Sequence, residues 1–265
     1  MANAWILAPL PIVSAAASST AAGHDPAFVG NDHMGVVWKS GPEASPHLRI
    51  DLGADEAVDA ALLMGCTGAQ AGWQMGVSAA TSAQGTGFPP GSFIAPDEPL
   101  LAGSEMLPSG RGVGLWVPDG IPPLSRHIDF RIDQGSTAPV TIGRVAAGKR
   151  IMLDRNFSFG AALGVKDLGK ADFSQRGVLL RSRGAKLRTV NLKFGALHRD
   201  EVEAAILPLL ALAGTTEPVA LVLDPAPHEM RQRRIYFGML VGPQLDAIWA
   251  RAGGFEWSAN LVSLI

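Results

Sequence analysis

The sequence predicts a mainly β protein: an antiparallel β-sandwich over residues 1–150, followed by a smaller β-rich α+β module over 151–265 with one main helix. Three observations predict it. The 31 Gly and 19 Pro make up 50 of the 265 residues, about 19% against an average near 12%, which calls for many turns. Apolar runs are short and bounded by Gly, Pro, Asp and Ser, as strands of a sandwich or barrel are. Finally, 47% hydrophobic and 17% charged residues suffice for a substantial core and exclude a disordered chain.

The first half reads as strands at Val36–Lys39, Leu48–Leu52, Val58–Met64, Trp73–Ser78, Gly114–Val117, His127–Ile132 and Val140–Val145. Between them, Thr81–Pro123 is rich in Gly, Pro and Ser and reads as long loops with a mobile segment. After Ile151 the strand pattern continues at Phe157–Val165, Gly177–Arg183 and Leu187–Phe194. The period then changes: Val202, Ala205, Ile206, Leu209 and Leu210 fall at helical spacing, acidic residues open the segment and Gly214 follows it, so a helix is predicted near residues 200–213. Pro208 is expected to kink or split it, because proline removes a backbone donor and crowds the preceding turn. Strands at Val219–Leu223, Arg234–Val241 and Phe255–Ile265 close the pattern.

Charge divides the chain. Residues 1–125 hold 3 Lys/Arg and 11 Asp/Glu, a balance of -8, and residues 126–265 hold 19 and 13, a balance of +6. Such polarity suits docking of the halves, or of one copy on its neighbour. Arg176, Arg181, Arg183, Lys186, Arg188, Lys193 and Arg199 alternate with apolar residues at strand spacing and lack interleaved aromatics, so they read as the solvated face of a hairpin, with no nucleic-acid partner expected. No Lys or Arg precedes Lys39, and Pro9 and Pro11 break the apolar stretch Trp5–Val13, so a signal peptide is not expected. No run approaches the roughly 20 apolar residues of a membrane helix, and no membrane insertion is expected. The single Cys66 excludes an internal disulfide and suits a reducing compartment.

Candidate chemistry is sparse. The histidines His24, His33, His47, His127, His198 and His228 form no i, i+4 pair, so no metal is expected. Gly110-Arg111-Gly112-Val113-Gly114 lacks the Gly-Lys-Ser/Thr ending of a phosphate loop and reads as a turn. Asp51, Asp55, Glu56 and Asp59 read as a solvated turn rather than as paired acid and base. Cys66, Trp38 and Trp73 read as core residues. With no nucleophile and base in view, the expectation is a non-enzymatic protein without a cofactor.

One constellation is more specific. Ala17-Ser18-Ser19, Gly23-His24-Asp25-Pro26-Ala27, Asn31-Asp32, Val37-Trp38-Lys39-Ser40 and Leu48-Arg49-Ile50-Asp51-Leu52-Gly53 resemble, in this order, the opening of discoidin-like, galactose-binding β-sandwiches of the jelly-roll type. Met34-Gly35 departs from the acidic-glycine turn of many relatives, which argues against calcium. The resemblance implies a ligand-binding loop at one end of the sandwich, with His24, Asp25, Asn31, Asp32 and His33 as its candidate residues and a host surface glycan as a further partner. Those loops offer only Phe28 as a stacking ring, so a docking scaffold is favoured over a sugar receptor.

In the second half, Val140-Thr141-Ile142-Gly143-Arg144-Val145, Arg155-Asn156-Phe157-Ser158-Phe159-Gly160, Leu187-Arg188-Thr189-Val190, Leu221-Val222-Leu223-Asp224-Pro225 and Ile235-Tyr236-Phe237-Gly238-Met239-Leu240 resemble tail-associated virion proteins of long-tailed bacteriophages. That implies a structural component of a phage tail or tail-tip (baseplate) assembly, located in the virion, assembled in the host cytoplasm, and packed on copies of itself and other tail proteins. The alternative is a carbohydrate-binding module that attaches a particle or enzyme to a glycan surface.

Overall fold

Alternating apolar residues become strands in the computed structural model, which describes residues 3–120, 123–242, 246–251 and 254–265. Along the chain the first strands are β1 (Trp5–Leu7), β2 (Ser14–Ala17), β3 (Trp38–Lys39), β4 (His47–Ala57), β5 (Ala60–Thr67), β6 (Gln74–Ala80), β7 (Phe93–Ile94), β8 (Glu98–Pro99), β9 (Arg111–Trp116), β10 (Leu124–Asp133), β11 (Thr141–Ile142), β12 (Arg144–Gly148) and β13 (Arg150–Met152). Then follow β14 (Ala162–Asp167), β15 (Lys170–Phe173), β16 (Leu179–Ser182), β17 (Lys186–Leu197), helix α1 (residues 199–213), β18 (Pro218–Val222), β19 (Ile235–Leu240), β20 (Ala247–Arg251) and β21 (Gly254–Ser263). The chain divides into two units: unit 1 is Met1–Met152 with Ala220–Ile235, and unit 2 is Leu153–Val219 with Tyr236–Ile265.

Unit 1 is an antiparallel β-sandwich. One layer runs β2-β4-β10-β6-β7, with β8 beside β6, and strands β12-β5-β9 and the pair β3–β11 supply the other. Because side chains alternate across a strand, β4 sends Leu48, Ile50 and Leu52 inward while β10 sends Ile128, Phe130 and Ile132 the same way. These meet Ala61, Leu63, Trp116, Val145 and Ala147 of the facing strands and Trp38, which is fully buried, in one hydrophobic core. Each Leu, Ile, Val or Phe among them contributes about 1.5–3 kcal/mol of burial. Strand β1 pairs antiparallel with β13 and with Ala220, Leu221 and Val222 of β18.

Several details differ from the sequence expectations. Within Thr81–Pro123 the expected strand at Gly114–Val117 is present as β9, which starts earlier, at Arg111, and pairs with β5; the rest is not loop alone, since β7 and β8 also lie there, paired to β6. Residues 121–122 of that stretch lie outside the described residues. In the expected turn at Gly110-Arg111-Gly112-Val113-Gly114, only Gly110 has turn geometry, at φ 71°, and the rest already belongs to β9. There a Cβ at 112 would sit 3.1 Å from the Cys66 carbonyl and 2.5 Å from the Leu101 side chain, so this glycine serves close packing. The acidic cluster is not a solvated turn. Asp51, Asp55 and Glu56 lie in β4, which continues to Ala57. Asp59 is buried and accepts a 2.6 Å hydrogen bond from the Arg150 backbone.

In unit 2, β19-β21-β17-β14 form an antiparallel sheet, with β20 also on β21. Register places Val190, Leu192 and Phe194 of β17 opposite Leu261, Ala259 and Trp257 of β21, all buried. The Phe194 and Trp257 rings stack at 5.4 Å. Helix α1 buries Val202, Ile206, Leu209 and Ala213. Pro208 does not split it. The turn before Pro208 widens to π geometry, with the Leu207 N–H bonded to the Val202 carbonyl five residues back, which accommodates the missing donor and the bulky ring.

Candidate functional site

The same alternation that fills the core of unit 1 loads the other face of its larger sheet with polar groups. Strand β4 turns His47, Arg49 and Asp51 outward and β10 turns His127, Asp129 and Arg131 outward. Antiparallel register sets Asp129 opposite Arg49, His127 opposite Asp51 and Arg131 opposite His47. Small residues flank them, with Ala16 of β2 beside Arg49 and Ser78 of β6 beside Asp129. Long polar side chains between short ones leave a cavity of about 360 Å3, lined by Ala16, Ala17, Ser18, His47, Arg49 and Asp129.

At its floor the Asp129 side chain is only 8% exposed. His47 Nδ1 lies 2.6 Å from Asp129 Oδ2, and since a carboxylate only accepts, that nitrogen carries the hydrogen. Arg49 Nε stands 3.6 Å from Asp129 Oδ1, near enough to attract but not to bond. Asp129 Oδ1 and Arg49 Nε are therefore both buried without a hydrogen-bond partner. Burying such groups unpaired costs about 1–3 kcal/mol each, a cost that a polar ligand relieves. The Phe88 ring sits 5.0 Å from the Arg49 guanidinium. Phe88 holds a left-handed backbone at φ 47°, rare for a residue with a bulky side chain. Its loop is pinned through Ser82, whose N–H and hydroxyl donate to Asp55 Oδ1.

Around this centre the charges are tied down. Arg126 grips Asp51 with bonds of 2.8 and 3.1 Å and holds its carboxyl below the usual aspartate range. Arg131 pairs with Asp97 at 2.6 Å. At the rim the Ser18 hydroxyl donates to Glu43 and lowers its carboxyl. The cavity brings one carboxylate, Asp129, together with His47, Arg49 and the Ser18 hydroxyl, a set of donors and acceptors that can bind and orient hydroxyl groups. Among the described residues, no three His, Cys, Asp or Glu side chains cluster as metal ligands.

The loop residues expected from the resemblance mostly hold their own loop. Asp25 caps the short helix at Pro26–Gly30 by accepting from the Ala27 N–H, and Asn31 accepts from the His33 N–H. Asp32 meets Arg144 at 3.2 Å, while Arg144 also donates to the Val29 and Val145 carbonyls. His24 Nδ1 lies 3.0 Å from the Val37 carbonyl, and its side lines a second cavity of about 310 Å3 with Lys39, Thr67, Arg111 and Thr141. Asp25, Asn31, Asp32 and His33 do not line that cavity. Sequence reading missed His47, Arg49, Asp129 and Phe88. The alternation placed Arg49 and Asp129 on strand faces and left His47 just outside the expected strand, and only the register of β4 on β10 joins the three, His47 and Asp129 across 82 residues. Cys66 is buried and burial pushes its thiol up to about 12, so it is inert core.

No family model matches the chain, and no curated protein matches it. Among solved structures, it is similar to the family 32 carbohydrate-binding module of C. perfringens NanJ in complex with galactose, at 16% identity and a TM-score of 0.42, over 53% of this chain and 97% of that one. It is similar at 14% identity and a TM-score of 0.42 to chitosan-binding module 1 of a Paenibacillus sp. chitosanase/glucanase, over 53% of this chain and 98% of that one. The lectin domain of lectinolysin, complexed with Lewis B antigen, is similar at 14% identity and a TM-score of 0.39, over 51% of this chain and 92% of that one.

Proposed function

We propose that the chain is a non-enzymatic glycan-binding protein whose unit 1 attaches a larger particle or enzyme to a sugar-bearing surface. The observation that carries this reading is the cavity above Asp129. A buried carboxylate oxygen and a guanidinium nitrogen, both lacking partners, lie side by side, with an aromatic ring against the same guanidinium. An acceptor next to a donor suits vicinal hydroxyls, and a ring suits the apolar face of a pyranose. Calorimetry and a glycan array test it, with galactose, fucose and chitosan oligomers as first probes. Millimolar or tighter binding is expected, lost in Asp129→Asn and weakened in Phe88→Ala, while Asp32→Ala binds as the wild type does. Binding lost in Asp32→Ala and kept in Asp129→Asn would move the site to the His24–His33 loop.

A second reading, a structural role in a bacteriophage tail or baseplate, is favoured by one different observation. Unit 2 exposes large apolar side chains, including Leu163, Val165, Phe173 and Leu179, in the manner of a part finished by its neighbours. Presence of the chain in purified particles tests that role directly.

A further inference from the structure

The exposed strands of unit 2 form one ribbon. Strand β14 pairs with β17, and β15 with β16, from Lys170↔Ser182 to Phe173↔Leu179. The two pairs are continuous, because the Leu168 N–H bonds to the Ala185 carbonyl between them and a Cβ at Gly184 would strike the Leu168 backbone, an approach that glycine alone permits. Beyond that crossing, among the described residues, no third strand pairs with the β15–β16 tip, and every residue of both strands is exposed. A two-stranded hairpin in water is marginal by itself and needs another surface for stability. The ribbon carries the means to find one. Leu163 and Val165 lie on the face that β17 buries at Val190, yet stand 62% and 63% exposed, and Phe173 and Leu179 share one face of the tip. Residues 162–186 hold six Lys/Arg against two Asp, and none of the six forms an ion pair with a described residue.

We propose that this ribbon is an arm that docks on unit 1 of a second copy of the chain, at the exposed acidic end of β4. There Asp55 and Glu56 are exposed near the end of β4, and Leu124 of β10, 60% exposed, pairs with the last residue of β4, Ala57. The opposite charges attract, and the apolar side chains on both sides supply the buried contact. Contact between two arms is disfavoured by their like charge. The interface is thus heterologous, and it closes into a ring or extends as a filament according to the rotation per copy.

Sedimentation of the full chain over a concentration and salt series tests this. The wild type is expected above monomer mass, weakening with salt. Phe173→Asp with Leu179→Asp should loosen association by at least about tenfold without changing the far-ultraviolet signal, since both side chains are exposed. Lys170→Glu with Arg181→Glu in one chain, and Glu56→Lys in another, should each associate poorly and recover when mixed. A wild type that stays monomeric into the millimolar range, or association indifferent to the arm variants, overturns the proposal, as does a monomer that binds anionic phosphatidylglycerol vesicles instead. Glycan binding, measured on the same monomeric variant, stands or falls separately.

Discussion

In unit 1 the inward residues of β4 and β10 meet a second layer of strands, whereas in unit 2 the face of β14 that continues the buried face of β17 is bare. Among the described residues, thirteen of the eighteen large apolar side chains that stand exposed belong to unit 2, the smaller unit. Both regions have strands with apolar residues at alternate positions. What differs is whether anything lies opposite. Alternation therefore decides which residues share a face, while burial depends on a second surface, and a strand face without one stays exposed.

The comparison breaks first if the two faces respond alike to truncation. Phe130→Ala, at a fully buried position in the unit 1 core, should lose about 3–5 kcal/mol of stability in denaturant melts. Next comes Arg144→Ala. Arg144 is buried and donates to the Val29 and Val145 carbonyls as well as to Asp32. Its removal strands those acceptors and should cost about 2 kcal/mol by the same measurement.

A smaller effect concerns Glu98, whose carboxyl burial raises to about 7 although nearby Arg231 pulls it down. A carboxyl that holds its proton more firmly folded than unfolded stabilises the fold below the ordinary glutamate range, and that contribution is lost as pH rises toward 7. Between about pH 5 and 8 the wild type should lose on the order of 1 kcal/mol relative to Glu98→Gln, after screening of this half-buried group. Melts of both proteins across that range check the sign. The smallest effect is expected in the arm: Phe173→Ser, at a position 68% exposed, should change the stability of the monomer by less than about 0.5 kcal/mol. A loss of several kcal/mol there would mean that Phe173 already has a partner within the chain.

Much of the fold was written locally. The alternation in Leu48–Leu52 and His127–Ile132 marked strands with one apolar face, and these are β4 and β10 with that face in the core. The 3.6-residue spacing of Val202, Ile206 and Leu209 marked the helix, and all three are buried on it. Such periods are legible because they depend on the geometry of a single strand or helix. The site was less so. His24, Asp25, Asn31, Asp32 and His33 drew notice as a polar loop, but a loop must satisfy its own backbone, and Asp25 and Asn31 are spent on that.

By itself, then, the amino-acid order determined the strands with clear alternation, such as β4 and β10, where the helix falls and which of their side chains share a face, since neighbours a few residues apart settle those matters. Only the tertiary structure decided that Asp129 lies against Arg49 and His47, that Ala220–Val222 pairs with β1 near the chain's beginning, and that Leu163 and Val165 remain uncovered. Each depends on register or coverage between distant segments. A strand's pattern is the same whichever partner it finds, so no local period encodes the choice.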